Sequence, residues 1–381
     1  MRDIADTAAC ATADVSAFDR LLRKQLVGRM TALRHGRLVL EDACGTVVLG
    51  DSDSVHPGLQ VHLQVLDSAF YRAVARNGSV GAGESYMAGQ WRCDNLVRLM
   101  QLLVRNRDLL DGMESGLARL GGMALRAWHA LRRNTRDGSR RNIAAHYDLG
   151  NDFFSLFLSA DLMYSSATWT DPADTLETAS TRKLERICRK LDLQPTDRVI
   201  EIGTGDLAGR YDKLVSIEMV EAVRASYLDV YFGKLGSLLK PDGLALVQAI
   251  TIEDHRYAQA LKSVDFIKRH VFPGSFIPSI QALLAAKTRA SDLALIQLED
   301  FGSSYALTVQ AWRERFMAKQ AQVRAQGFDE RFIRMWEFYL AYCEGGFRER
   351  SIGVAHLLMA KPGTRRAAWL PEAPAHVELA E

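Results

Sequence analysis

Long apolar runs are missing from this chain. No stretch of about 18 consecutive apolar residues occurs, so no membrane-spanning helix is expected. Cysteine is sparse and scattered. Cys10, Cys44, Cys93, Cys188 and Cys343 form no CxxC pair, which argues against a zinc site or a disulfide framework and for reduced thiols in the cytoplasm. Neither sign of charge is in excess: 48 Lys and Arg face 46 Asp and Glu, and a net charge of +2 says little about partners. The opening residues, Met1 to Asp6, lack the apolar segment of a secretory signal. There is no internal repeat, and no recognised module that would point to nucleic acid.

One shortage outweighs the others. Arg198-Val199-Ile200-Glu201-Ile202-Gly203-Thr204-Gly205 reads as an apolar strand running into a glycine turn, the opening of a nucleotide-binding crossover. A second strand signal, Tyr211 to Ile217, begins after only Asp206-Leu207-Ala208-Gly209-Arg210. Parallel neighbours in one sheet need roughly a dozen connecting residues or more, usually a helix. Five residues cannot supply one.

What is present is ordinary globular composition, with 48% hydrophobic and 25% charged residues. The length suits two or three domains of about 150 residues. Residues 1–15 read as a disordered tail and 16–115 as an N-terminal α+β domain. In that domain short β-prone runs (38–40, 47–49, 61–63) precede a mostly helical stretch from Phe70 to Asn106, interrupted by a Gly-rich turn at 78–83. Residues 116–141 carry seven arginines against one acid, Asp137, with Leu117, Leu120, Leu125, Trp128 and Leu131 interleaved. That segment is either a helix on an anionic lipid surface or an Arg-rich linker packed on its own protein. Residues 142–365 read as one α/β domain. It has helices at 176–191 and 227–239, strands at 198–203, 211–217 and 244–252, and a turn at 240–243. Residues 366–381 form a loose tail.

The glycine turn alone is equally an ordinary strand-to-loop turn. Other segments change the reading. They are His146-Tyr147-Asp148-Leu149-Gly150-Asn151-Asp152-Phe153-Phe154, Tyr164-Ser165-Ser166-Ala167-Thr168-Trp169, Glu218-Met219-Val220-Glu221-Ala222-Val223, and Phe266 to Gly274. With Phe301-Gly302-Ser303-Ser304-Tyr305, Ala311 to Phe316 and Phe332 to Leu340, they resemble, in order, the cyclopropane-fatty-acyl-phospholipid synthase family of S-adenosylmethionine-dependent methyltransferases. The likeness covers roughly residues 55–363. It implies an α/β fold: a Rossmann-like class I methyltransferase sheet, here short of about two βα units, with a smaller N-terminal α+β domain.

The resemblance also implies chemistry. A methyl group from S-adenosylmethionine adds to the cis double bond of an unsaturated phospholipid acyl chain, and loss of a proton, aided by a bound bicarbonate ion, closes a cyclopropane. Relatives divert the cation to other methylated products. Such a reaction needs a dry acyl tunnel. Phe153, Phe154, Phe157, Tyr164, Trp169, Phe272, Phe276 and Tyr305 suit one, though each also suits simple core packing. Residue by residue, Glu221 matches the acid that helps hold bicarbonate, Tyr305 a tyrosine and Ile250 a backbone contributor. Ser166 stands in place of a cysteine and Gln248 in place of a histidine. Tyr164, Ser165, Glu201, Gly203 and Gly205 match positions that touch S-adenosylmethionine. No metal is implied. The setting is the cytoplasmic face of a membrane, with an anionic lipid surface as partner, and a homodimer is compatible with it.

Where the family continues with Trp-Gly-Gly, a helix, a strand ending near a ribose-binding acid, another helix and a third strand, this chain passes straight from Gly205 to Asp206. About 50 residues are missing, since one βαβ unit takes roughly 30 or more. A fully extended link from Gly205 to Tyr211 spans at most about 20 Å, and a five-residue strand is itself about 17 Å long. An almost straight, unpaired return, an exposed sheet edge, a destabilised domain and weak or absent cofactor binding are expected. The second expectation is thus a catalytically impaired relative that binds only lipid or a membrane surface.

Overall fold

The computed structural model describes residues 15–50, 59–113, 149–203 and 207–365. The basic segment 116–141, the tail 366–381 and Gly205 lie outside them. No helix among the described residues is long and apolar enough to cross a membrane.

A helix, Ala17–Met30, opens the described chain, its first turn capped where the Ser16 hydroxyl accepts from the Asp19 amide. Strands β1 (Arg37–Asp42), β2 (Gly45–Leu49), β3 (Gln60–Val65) and β4 (Trp91–Cys93) then form a sheet of order β2-β1-β3-β4. Alternation decides which face is covered: Leu38, Leu40, Val61, Leu63 and Val65 are buried while their neighbours are wetter. The interruption expected at the Gly-rich stretch is present but narrows to one residue: two helical halves of Ala69–Met87 meet at Gly78, which leaves helical geometry (φ 55°, ψ −128°). The later glycines serve packing, for a Cβ at Gly83 would meet the Phe266 ring at 2.3 Å.

The second sheet has the order β5-β6-β7-β9-β8, with β5 (Val199–Glu201), β6 (Tyr211–Ile217), β7 (Leu239–Ile252), β8 (Ala294–Asp300) and β9 (Ile352–Ala360). β5, β6 and β7 are mutually parallel, and β9 runs antiparallel between β7 and β8. β7 and β9 are near-continuous buried runs because helices cover both faces of the sheet centre. Lys240-Pro241-Asp242-Gly243, read as a turn, is absorbed into β7, with the irregularity taken up as a register shift beside Tyr211.

The short junction is resolved differently from the expected straight return. β5 contracts to three residues, which leaves Ile202–Arg210 between the strands, with the Ile202 N–H still donating to the Val215 carbonyl at 2.7 Å. Nine residues reach about 30 Å, ample for a strand about 10 Å long. In the described residues 207–210 of the link, the Ala208 carbonyl accepts from the Tyr211 hydroxyl at 2.9 Å, and the Arg198 guanidinium lies 4.6 Å from the Tyr211 ring centre. Among the described residues β5 is a sheet edge, and Val199 is 43% exposed. The expected exposed edge is therefore present.

The two sheets share a core. The helix Glu330–Arg348 packs on Leu96–Arg105 and on Ala69–Met87, and one apolar cluster runs from Leu22 to Val354 through both regions. Polar ties cross the same seam, from Tyr86 to Glu337 (2.8 Å) and from Arg105 to Glu349 (2.8 Å). Cys93, Cys188 and Cys343 are free thiols, but Cys44 is disulfide-bonded. This corrects the expectation of reduced thiols throughout; an odd count does not forbid a single pair.

Candidate active site

Parallel strands end on one side of a sheet, and loops there gather side chains from several elements. At that end of β6 and β7 the chain places two glutamates. Glu218 follows β6 directly and holds a left-handed backbone, φ 50°, which glycine adopts freely and other residues adopt at a cost. Its own N–H donates to the Gln248 carbonyl at 2.8 Å, which fixes the turn. Glu221 sits in the short helical turn that follows.

The Glu218 carboxylate is held by three donors. Oε1 accepts from the Ser166 N–H at 2.9 Å and from Gln248 Nε2 at 2.8 Å. Oε2 accepts from the Tyr305 hydroxyl at 2.7 Å. Each donor is positioned by its element. The loop 164–169 is tied to the helix Gly302–Ala318 where the Thr308 hydroxyl accepts from the Ala167 N–H (3.1 Å) and the Trp169 indole (3.0 Å). Tyr305 projects from the first turn of that helix and stacks on Phe347 at 4.3 Å. Ser166 departs from expectation in one respect: its hydroxyl turns to the Ala167 carbonyl, and its backbone N–H faces the carboxylate.

Behind Gln248 runs a buried polar row. Gln248, His356 and Glu299 are directly paired across β7, β9 and β8, so their side chains share one face. Lys190, from the helix Leu176–Leu191, donates to His356 Nδ1 at 2.8 Å and also to Glu299. Burial, then Lys190 and Arg186, holds the His356 pKa well below the ordinary range, so the ring is neutral. With Nδ1 accepting, Nε2 carries the proton and donates to Gln248 Oε1 at 2.9 Å. That contact orients the Gln248 amide with its NH2 toward Glu218.

Glu221 has less support. Its Oε1 accepts the Ile250 N–H at 2.6 Å, while Oε2 is buried without a partner. Burial first, then the Glu218 charge, pushes its carboxyl up to about 8. Burial also raises Glu218, but three donors stabilise its anion. Two adjacent carboxylates do not both ionise freely in such a site. The proton at neutral pH therefore rests on Glu221. Both residues retain some accessible surface, and it faces a cavity they line. Nearby, Lys183 is fully buried and donates to the Ser165 hydroxyl at 2.9 Å; burial pulls its ammonium down to about 8.

The cavity occupies about 1410 Å³. One end holds Tyr164, Ser165, Glu201, Glu218, Glu221, Ile250 and Tyr305, and the other reaches Leu22, Met30, Leu40, Leu63 and Phe70 of the N-terminal region. The aromatic residues divide. Phe154, Tyr164, Phe272, Phe276 and Tyr305 line the cavity, whereas Phe153 and Phe157 are fully buried packing residues clustered with Phe316 and Trp336. Trp169 is not part of the lining and spends its indole on Thr308.

All five residues expected to do chemistry, Glu221, Tyr305, Ser166, Gln248 and Ile250, thus converge. Of those expected to touch the cofactor, Tyr164, Ser165 and Glu201 line the same cavity. Gly203 is exposed beyond the end of β5. Among the described residues nothing supplies the strand that would carry a ribose-binding acid. Bicarbonate does not fit these groups as they stand, because the Ser166, Gln248 and Tyr305 donors are spent on Glu218 and the Ile250 donor on Glu221. Glu218, Lys183, Lys190 and His356 were not singled out from sequence. The one available signal was Glu218 three residues before Glu221, a second acid at a strand end.

Comparison with known proteins agrees with this layout. The sequence model of the mycolic acid cyclopropane synthetase family matches residues 134–205 and 206–357, two pieces that meet at the short junction. The chain is 33% identical over 410 aligned positions to the tuberculostearic acid methyltransferase UfaA1 of Mycobacterium tuberculosis, covering 93% of each. Since 93% of 381 residues is about 354, some 56 aligned positions have no counterpart here. It is 31% identical over 347 positions to the cyclopropane-fatty-acyl-phospholipid synthase of Escherichia coli, covering 78% of this chain and 87% of that one. Among solved structures, the cyclopropane synthase MmaA2 of M. tuberculosis superposes with a TM-score of 0.53 at 23% identity, covering 58% of this chain and 98% of that one. Coclaurine N-methyltransferase gives 0.52 at 16% identity, covering 74% and 98%. These likenesses show a class I methyltransferase fold. By sequence, the chain belongs to the family of mycolic acid cyclopropane synthetases and cyclopropane-fatty-acyl-phospholipid synthases.

Proposed function

We propose that this protein modifies unsaturated acyl chains of phospholipid, adding a one-carbon unit at the cis double bond to give cyclopropane fatty acids. The observation that carries this reading is the cavity, which runs from a carboxylate cage into an apolar channel larger than the roughly 300–1,000 Å³ of small-ligand pockets. An extended acyl chain suits that form. S-adenosylmethionine, when bound, would supply the electrophilic methyl group. Tyr164, Ser165 and Glu201 would face its methionine end. The channel walls would exclude water from the cationic acyl chain, and the faces of Tyr164, Tyr305 and Trp312 would favour positive charge. One relative is a tuberculostearic acid methyltransferase, so a methyl-branched product is the alternative outcome.

A second reading is favoured by the nine-residue link: a protein that keeps the acyl channel, holds the methyl donor poorly, and serves as a lipid binder. Fatty-acid methyl ester analysis of cells rich in unsaturated lipid and expressing the chain separates the two. New cyclopropane or methyl-branched species support the enzyme. Unaltered lipid, together with no heat of S-adenosylmethionine binding in calorimetry, supports the binder.

A further inference from the structure

We propose that Glu218 is a carboxylate built into the chain at the place where the family resemblance calls for a bound bicarbonate ion, so that this site takes no external carbonate and uses Glu218 to receive the departing proton. Ser166, Gln248 and Tyr305 match positions expected to surround bicarbonate, and all three turn their donors onto one side chain, at 2.9, 2.8 and 2.7 Å. A carboxylate and a bicarbonate present the same planar pair of anionic oxygens, so one substitutes for the other in a cage of donors. Three such bonds satisfy a buried anion, and no donor of this set is left for a second.

Two independent features point the same way. Glu218 holds its strained left-handed backbone where a glycine would sit without cost, which marks the side chain as required there. The Glu221 oxygen beside it is buried, unpartnered and part of the cavity wall. A second anion brought next to this pair would meet the negative charge held on Glu218. The His356–Gln248 contact acts at one remove: it positions the donor and touches no substrate.

The proton step rests on the function proposed above. As the ring closes, a C–H bond of the added methyl group breaks and its electron pair forms the second ring bond. The proton passes to a Glu218 oxygen, which becomes a neutral carboxyl and later releases it. No further reactant is needed.

Binding of ¹³C-labelled bicarbonate to the full chain, followed by NMR line broadening, tests the cage without reference to catalysis. The wild-type chain and Glu218→Gln should show no saturable broadening at millimolar bicarbonate. Glu218→Gly, which frees three donors and relieves the backbone, should bind at least tenfold more tightly than wild type. Saturable binding to the wild-type chain overturns the proposal, as does a folded Glu218→Gly with no affinity. Should Glu218→Gly not fold, infrared difference spectra of wild type decide. A Glu218 carboxylate band, identified by its loss in Glu218→Gln, must stay unshifted when bicarbonate is added, and a shift refutes the assignment. Failure of the chain to alter lipid would count against the proposed function and leave these anion results standing.

Discussion

Replacing Gln248 by leucine is the sharpest probe of the buried polar row. The side chain is fully buried, and leucine is of similar bulk, so packing changes little. Two groups lose partners. Glu218 keeps two of its three donors, and the His356 Nε2–H is left without an acceptor in a site closed to water. A buried polar group stripped of its partner costs about 1–3 kcal/mol, with charged groups at the upper end. The expected loss is therefore about 3–5 kcal/mol, a large share of the roughly 5–15 kcal/mol that holds a domain together. Urea titration followed by the fluorescence of the buried Trp312 and Trp336 would register it as a lower midpoint. A double change, Gln248→Leu with His356→Leu, should cost less than the sum of the single changes, because the ring N–H orphaned by the first is removed by the second. A Gln248→Leu loss below about 1 kcal/mol, or strict additivity in the double variant, would refute the argument that these groups form one hydrogen-bonded row.

Four further outcomes are expected. Glu221, raised in the folded chain from 4.5 to about 8, binds a proton there that the unfolded chain has already released, so stability should fall as pH rises across that window. Thermal melts of Glu221→Gln should lack that slope, and an unchanged slope would show that another group carries it. Ala75→Trp, placed where the helix Ala69–Met87 lines the cavity, should cut the affinity for a fluorescent polyene fatty acid at least tenfold without lowering helix content. Neutralising Arg132, Arg133, Arg140 and Arg141 together should abolish salt-sensitive sedimentation with anionic liposomes, and unchanged sedimentation would remove the electrostatic argument. Inserting a relative's missing βα units between Gly205 and Asp206 should raise S-adenosylmethionine affinity at least tenfold, measured by calorimetry. No gain would mean that the junction is not what limits binding.

Much of this architecture was legible in the sequence because its signals are local. The face Leu228, Tyr231, Phe232, Leu235 and Leu238 is spaced for a helix and is buried along one side of Leu228–Leu238. The helix Leu176–Leu191 begins where the Thr175 hydroxyl caps the Thr178 amide, an ordinary start signal. What failed to show is set by long-range register. Nothing local marks His356 as the cross-strand partner of Gln248, since they stand 108 positions apart. Nor does residue type reveal that Ser166 offers its backbone and not its hydroxyl. The Gly-rich run at 78–83 marked the helix break at Gly78 but overstated its length, because glycine marks close packing as well as turns. At the short junction, counting connecting residues between fixed strands overlooked that a strand can give up its own residues to lengthen the loop.

That shortened β5 has a further consequence. Its outer backbone groups face away from β6, with no strand laid against them among the described residues. A fragment carrying the lost units, supplied as a separate polypeptide, would have a ready seat there and could zip onto it by strand addition. Mixing the two purified pieces and following their co-elution would show whether that open edge accepts a strand.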